Sequence, residues 1–251
     1  MIESITKAFE SFSKRPFLFI WGTLMYIILL LAFFFAALGI VMAYFVVLSL
    51  LDKELDPTSP ASLIIAGALG LVFIFFSNGL NGALARAYRS AVWKEKTSLT
   101  KFFSYSLEKT LEMFGIMVVR DALWLLLAGP VIALYFYFLA TTQYMDILVG
   151  LYVMSVTFIM HMLFTPAFIS AGALDMGIVA SMKHAFEFVR RKHLFFVVIY
   201  ALFAVVWALN FIPFIQFVTL FFAYPLLYSA LIIMMEEAMK GGREEKEVDD
   251  E

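Results

Sequence analysis

Ala185-Phe186-Glu187-Phe188-Val189-Arg190-Arg191-Lys192-His193 runs without a break into Leu194-Phe195-Phe196-Val197-Val198. Apolar residues at helical spacing, then a basic cluster, then a purely apolar run describe a short interfacial helix that bends into a membrane span. Similar stretches occur at the N-terminus and near residue 100, and each precedes a pair of long apolar segments. The chain therefore reads as an all-α, polytopic membrane protein.

Composition demands the same class. Of 251 residues, 63% are hydrophobic and 15% charged, and the mean hydropathy is +0.93. Soluble domains lie nearer half apolar and a quarter charged, so this chain needs a bilayer as solvent. There is no cysteine, which excludes disulfides, thiolate metal sites and cysteine nucleophiles together. The N-terminus is not expected to be a cleaved signal, because its apolar run is too long and follows a patterned segment.

The spacing predicts a first amphipathic elbow over 2–15, with Ile2, Ile5, Phe9 and Phe12 on one side. Pro16 to Leu51 carries no charge. As one helix it would extend roughly 54 Å, against a hydrocarbon core of about 30 Å, so a tilted or projecting span is expected. Asp52 to Pro60 reads as a loop, and a second span follows at about 61–93. Thr97 or Ser98 is placed to cap a second elbow over 98–112, with Leu99, Phe103, Leu107 and Leu111 on its apolar face. Spans at 113–140, kinked at Pro130, and at 145–174 flank a turn at Thr141-Thr142-Gln143. Asp175 is placed to cap a third elbow over 176–192, lined by Ile178, Met182, Phe186 and Val189. Spans at 194–210 and 214–239 complete a single six-span domain over 1–240, and the charged tail 241–251 is expected to be disordered.

Charge sets the orientation. In this arrangement nearly all lysines and arginines fall on one side, leaving Lys53 on the other and Arg120 within a span. By the positive-inside rule both termini and all three elbows are cytoplasmic, in the cell membrane. Splitting 16–51 into a hairpin would throw the basic segment after Arg86 to the outside, so a single first span is preferred.

Ala8-Phe9-Glu10 to Phe19 aligns without gaps on Ala185-Phe186-Glu187 to Phe196, and Ser4-Ile5-Thr6-Lys7 resembles Ser98-Leu99-Thr100-Lys101. Three parallel units would explain this; so would chance reuse of basic amphipathic flanks. An inverted repeat is excluded, because each unit starts on the same side.

Few polar residues lie inside the spans. Arg120 and Asp121 are the sharpest, since a charge at the centre of a span costs roughly 2.5–3.5 kcal/mol. Neighbours on a helix point about 100° apart, so full mutual pairing is not expected. With Asn78, Asn81 and His161 they form a candidate intramembrane polar site. Packing competes with that reading at Asn78 and Asn81, which share their helix with Gly79, Gly82, Ala83 and Ala85. A structural charge network competes at Arg120, and simple hydrogen bonding within the bundle competes at His161. Lys14, Arg15, Arg86, Arg89, Arg190, Arg191 and Lys192 are candidate contacts for anionic lipid headgroups, although topology alone would require such charges. Phosphate-cradling, zinc-protease and serine-hydrolase motifs are missing, so no catalytic residue, metal or cofactor is expected.

Thr165-Pro166-Ala167 followed by Ala185-Phe186 and basic residues, with Pro16-Phe17-Leu18-Phe19, Ile212-Pro213 and Tyr224-Pro225, resembles the membrane domain attached to some bacterial glycerophosphodiester phosphodiesterases. The resemblance spans most of the chain through short, degenerate motifs. It implies the six-span fold and supplies no catalytic residue. The expected function is a non-enzymatic scaffold for membrane lipids, including anionic ones, or for a protein partner or second copy, with no nucleic acid. The alternative is a small transporter or channel with a polar path near Arg120, Asp121 and His161.

Overall fold

The computed structural model describes residues 2–50, 59–139, 143–210 and 212–249. Most of the expected loop after Leu51 and the Thr141-Thr142 turn lie outside them. The described residues are helical, without a strand. Helix α1 covers Ile2–Lys14, α2 Pro16–Leu50, α3 Pro60–Val92, and α4 Leu99–Leu134, which runs on as a π turn over Tyr135–Leu139. Then come α5 (Gln143–Gly172), α6 (Ile178–Arg191), α7 (His193–Leu209) and α8 (Ile215–Val218). A second π turn at Thr219–Ala223 joins α8 to α9 (Tyr224–Asp249). Helix α9 thus continues through most of the tail for which the sequence predicts disorder.

Among the described residues, five helical segments are long and apolar enough to cross a membrane, and α6 with α7, bent by 101°, would make a sixth if the pair is one span. The first apolar run is one helix of 35 residues, not a hairpin.

Sequence neighbours pack antiparallel. Gly22 meets Ala87 and Phe33 stacks on Phe76 between α2 and α3. Arg86 lies by Tyr105 and Asn78 by Met117 between α3 and α4. Between α4 and α5, Trp124 donates to Thr157 and the Tyr152 hydroxyl to the Leu127 carbonyl. The start of α2, the end of α3, the start of α4, the end of α5, the start of α7 and the end of α9 therefore gather at one end, and most of the core lies there. In α2 the buried residues are Phe19, Gly22, Thr23 and Met25; in α3, Ser62 apart, they run from Asn78 to Ala91. Leu31, Phe35, Leu50, Ile64, Leu125, Phe136 and Phe217 lie exposed along the other half.

Helix α3 is the hub, and small residues make it so. A Cβ on Gly79 would collide with the Ser106 carbonyl oxygen and the Thr110 hydroxyl, and one on Gly172 would come within 2.8 Å of Gly82. Such backbone approach is how helices associate where solvent is as apolar as leucine.

The elbows differ from expectation in two ways. Helices α1 and α6 are separate elements, broken at Arg15-Pro16, where proline removes an amide donor, and at Lys192. The segment 98–112 is not separate: Ser98 caps α4, which then continues unbroken past Met113. The reason is an uninterrupted seam of Phe102, Tyr105, Ser106, Lys109, Thr110, Met113 and Ile116, at the spacing of one helix face. The inward faces also differ. Leu99, Phe103, Leu107, Leu111, Phe9 and Phe186 are exposed, as the lipid-facing side of an interfacial helix is. Lys109, expected off the apolar face, is buried against the bundle with Ser4, Ala8, Ser106, Ser181 and Ala185, beside Phe12, Phe102 and Phe188.

Candidate functional site

The expected intramembrane set does not converge. Asn78 is buried, but its amide donates to the Ile74 carbonyl of its own helix (2.8 Å) and to Met117 Sδ (3.0 Å). Asn81 and His161 are exposed. Arg120 and Asp121 do pair: Nε and Nη2 lie 2.8 and 2.7 Å from Asp121 Oδ1. The flexible arginine chain bridges the angle between neighbouring side chains, which the reasoning from helix geometry did not allow for. Arg120 also sits 5.7 Å from the centre of the Phe168 ring. His161 lies within electrostatic range of both charges, so Arg120, Asp121 and His161 share one flank of α4 and α5, apart from Asn78 and Asn81.

The packed end holds a denser ionic collar that no spacing in the sequence announced. Arg89 Nε donates to Glu236 Oε1 at 2.5 Å, and Trp93 Nε1 donates to Glu236 Oε2 at 3.0 Å. Both carboxylate oxygens of this 9%-exposed side chain are thus engaged, fastening the C-terminus of α3 to α9. Next along α9, Glu237 accepts from the Ser4 hydroxyl at 3.0 Å and pairs with Lys7 at 2.9 Å, tying α1 to the same helix. The Lys109 side chain is 7% exposed and sits between Glu112 and Asp175. Tyr105 lies beneath the Arg86 guanidinium, whose carbon is 4.0 Å from the ring centre, and donates to the Gly172 carbonyl at 2.7 Å.

Asp175 corrects a further expectation. The N-cap of α6 is Gly177, which makes no side-chain cap bond. Asp175 instead adopts a left-handed backbone (φ 60°) and carries its carboxylate to Lys109. Asp tolerates that conformation better than most residues. The hydrogen bond from Lys109 holds the Asp175 carboxyl below its ordinary pKa, against the opposing effect of burial.

Of the expected headgroup contacts, Arg190, Arg191 and Lys192 lie exposed at the α6–α7 bend, and Lys14 pairs with Glu10 at 3.6 Å. Arg15 is partly buried at the α1–α2 break. Arg86 and Arg89 instead line a cleft of about 520 Å3 with Ser90, Trp93, Glu95, Glu236 and Met239. At the opposite end, the Asn210 amide donates to the Tyr224 hydroxyl at 2.9 Å and Thr219 donates to the Asn210 carbonyl, closing the α7–α8 connection. The π turn brings these residues together, although they look scattered in sequence. Among the described residues no group of three or more His, Cys, Asp or Glu is arranged to hold a metal. Known protein families, characterised proteins and solved structures give no match to this chain.

Proposed function

We propose that the chain is a six-span protein of the cell membrane, with both termini and the basic elbows cytoplasmic, acting as a non-enzymatic scaffold that holds lipid. The resemblance to the phosphodiesterase membrane domain belongs to this proposal as a likeness of fold order. One observation carries the reading: the polar residues within the apolar helices do not gather on one path, because Asn78 and Asn81 stand apart from the flank that Arg120, Asp121 and His161 share. Asn78 is spent on its own helix and on Met117, Asn81 and His161 are exposed, and Arg120 bonds one oxygen of Asp121 through Nε and Nη2. A permeation path needs such groups lining a common polar cavity. A lipid-binding flank needs a cation beside apolar surface, as Arg120 stands beside Phe168.

Native mass spectrometry of the protein extracted with its own lipids tests this, alongside Arg120→Ala. The expected result is a retained lipid species that is depleted in the variant. Saturable solute or proton flux in proteoliposomes, lost in His161→Ala, would replace the scaffold with a transporter.

A further inference from the structure

We infer that the cleft between the C-terminus of α3 and α9 binds a phosphate–ammonium zwitterion, the headgroup chemistry of an aminophospholipid. The inference rests on the lipid-scaffold reading and names the ligand class for a site separate from Arg120.

The cleft has room for a headgroup, about 520 Å3, and its charges are arranged rather than merely present. Glu236 is no longer available, since Arg89 and Trp93 occupy both its oxygens. That bond uses only Nε of Arg89 and leaves the two Nη nitrogens for another acceptor. Arg86 has one face of its guanidinium over Tyr105 and is hydrogen-bonded to that side chain; its remaining donors are left for an oxygen in the cleft. Two guanidiniums one helical turn apart, each braced from behind, suit a phosphate that takes several charge-assisted hydrogen bonds.

An anion alone would nevertheless fit poorly. Glu95 lines the same cleft and is held only by a 3.4 Å bond from Ser90. The carbonyl end of α3 adds partial negative charge, which favours a cation. The Trp93 indole, half exposed, forms part of the cleft wall beside Glu95. A lone cation would in turn meet Arg86 and Arg89. A ligand bearing phosphate and ammonium a few atoms apart satisfies both halves. A membrane lipid or a free phosphoamine could carry that chemistry.

The test uses the full-length protein in nanodiscs containing equal phosphatidylethanolamine, phosphatidylcholine and phosphatidylglycerol, with native mass spectrometry counting the lipids that survive stripping. The expected result is a roughly tenfold preference for the zwitterionic lipids over phosphatidylglycerol, the scale of one charge-assisted contact. Glu95→Gln should bring that preference close to unity, and Arg86→Gln should lower retention of the zwitterionic lipids. Glu95 is exposed, so its variant reads binding without threatening the fold. Free phosphoethanolamine, followed by the fluorescence difference between the protein and Trp93→Phe, separates the sources. Displacement of bound lipid by this solute supports the zwitterion and assigns it to a soluble ligand. Equal retention of all three lipids, preference for phosphatidylglycerol, or indifference to Glu95→Gln overturns the inference. If lipid is still held in an Arg120-dependent way, the scaffold reading survives that outcome; retention of no lipid removes both.

Discussion

The two halves of α3 are built from different residues and held by different forces. From Pro60 to about Ser77 the helix is apolar and largely exposed, and a Cβ on Gly67 or Gly70 would have nothing within 4 Å. From Asn78 to Ala91 it is largely enclosed, with Gly79 and Gly82 pressed against α4. The outer half needs only to be compatible with lipid. The inner half must satisfy backbone contact, buried hydroxyls and a ring of charges at once. Apolarity therefore says where the membrane is, whereas small and polar residues say where the protein is.

The strongest way to break this contrast is a substitution at Gly79. Gly79→Val should cost more than about 3 kcal/mol, because the new side chain meets backbone rather than a movable group. A large fall in melting temperature in detergent is expected, and a neutral result would show that the α3–α4 contact is not close.

A second comparison sets the collar against the flank. Glu236→Ala strands Arg89 and Trp93 and should destabilise by about 1–3 kcal/mol; the usual cost of breaking a buried pair is discounted because Arg89 is 41% exposed. Asp121→Ala, removing a carboxylate that is 51% exposed, should cost less than about 1 kcal/mol. Melting curves of the two variants in one detergent rank them, and a reversed order would move the structural centre of charge to α4.

Acid should act on the collar before the apolar half. Asp175 has a folded pKa below its unfolded value, so the unfolded state binds more protons as pH falls. Its contribution is present above the unfolded carboxylate range near 4 and is lost as pH drops through the folded value. Asp175→Asn should flatten that part of the stability profile below about pH 4, and an unchanged profile would remove Lys109–Asp175 as its source. The smallest effect is expected at Gly70→Ala, a stabilisation of about 0.5–1 kcal/mol from helix propensity alone.

Much of the architecture was legible, for identifiable reasons. The uncharged run from Pro16, preferred as one span because a hairpin would misplace the basic segment after Arg86, is one helix, and Pro16 and Lys192 mark real breaks. Leu99, Phe103, Leu107 and Leu111 form the apolar stripe of an interfacial segment and are exposed; the same stripe does not reveal that Ser106, Lys109 and Thr110 face the bundle. The collar was illegible because its partners are remote. Ser4 and Lys7 meet Glu237, and Arg89 meets Glu236, across most of the chain. No spacing rule connects such positions. Charge alone makes Arg86 and Arg89 candidate headgroup contacts; their placement in a cleft with Trp93 and Glu95 depends on packing that no local pattern shows.

The sequence by itself determined the solvent, the helical class and the approximate ends of each apolar segment, because hydropathy and charge act locally along the chain. Tertiary structure decided which face of each helix is buried, that the second elbow merges into α4, and that Asp175 serves Lys109 rather than capping α6. Those outcomes depend on how closely two backbones approach and which distant charge arrives opposite. Gly79 against Ser106 and Glu236 against Arg89 are set by packing, and nothing in the local pattern of either residue contains the other.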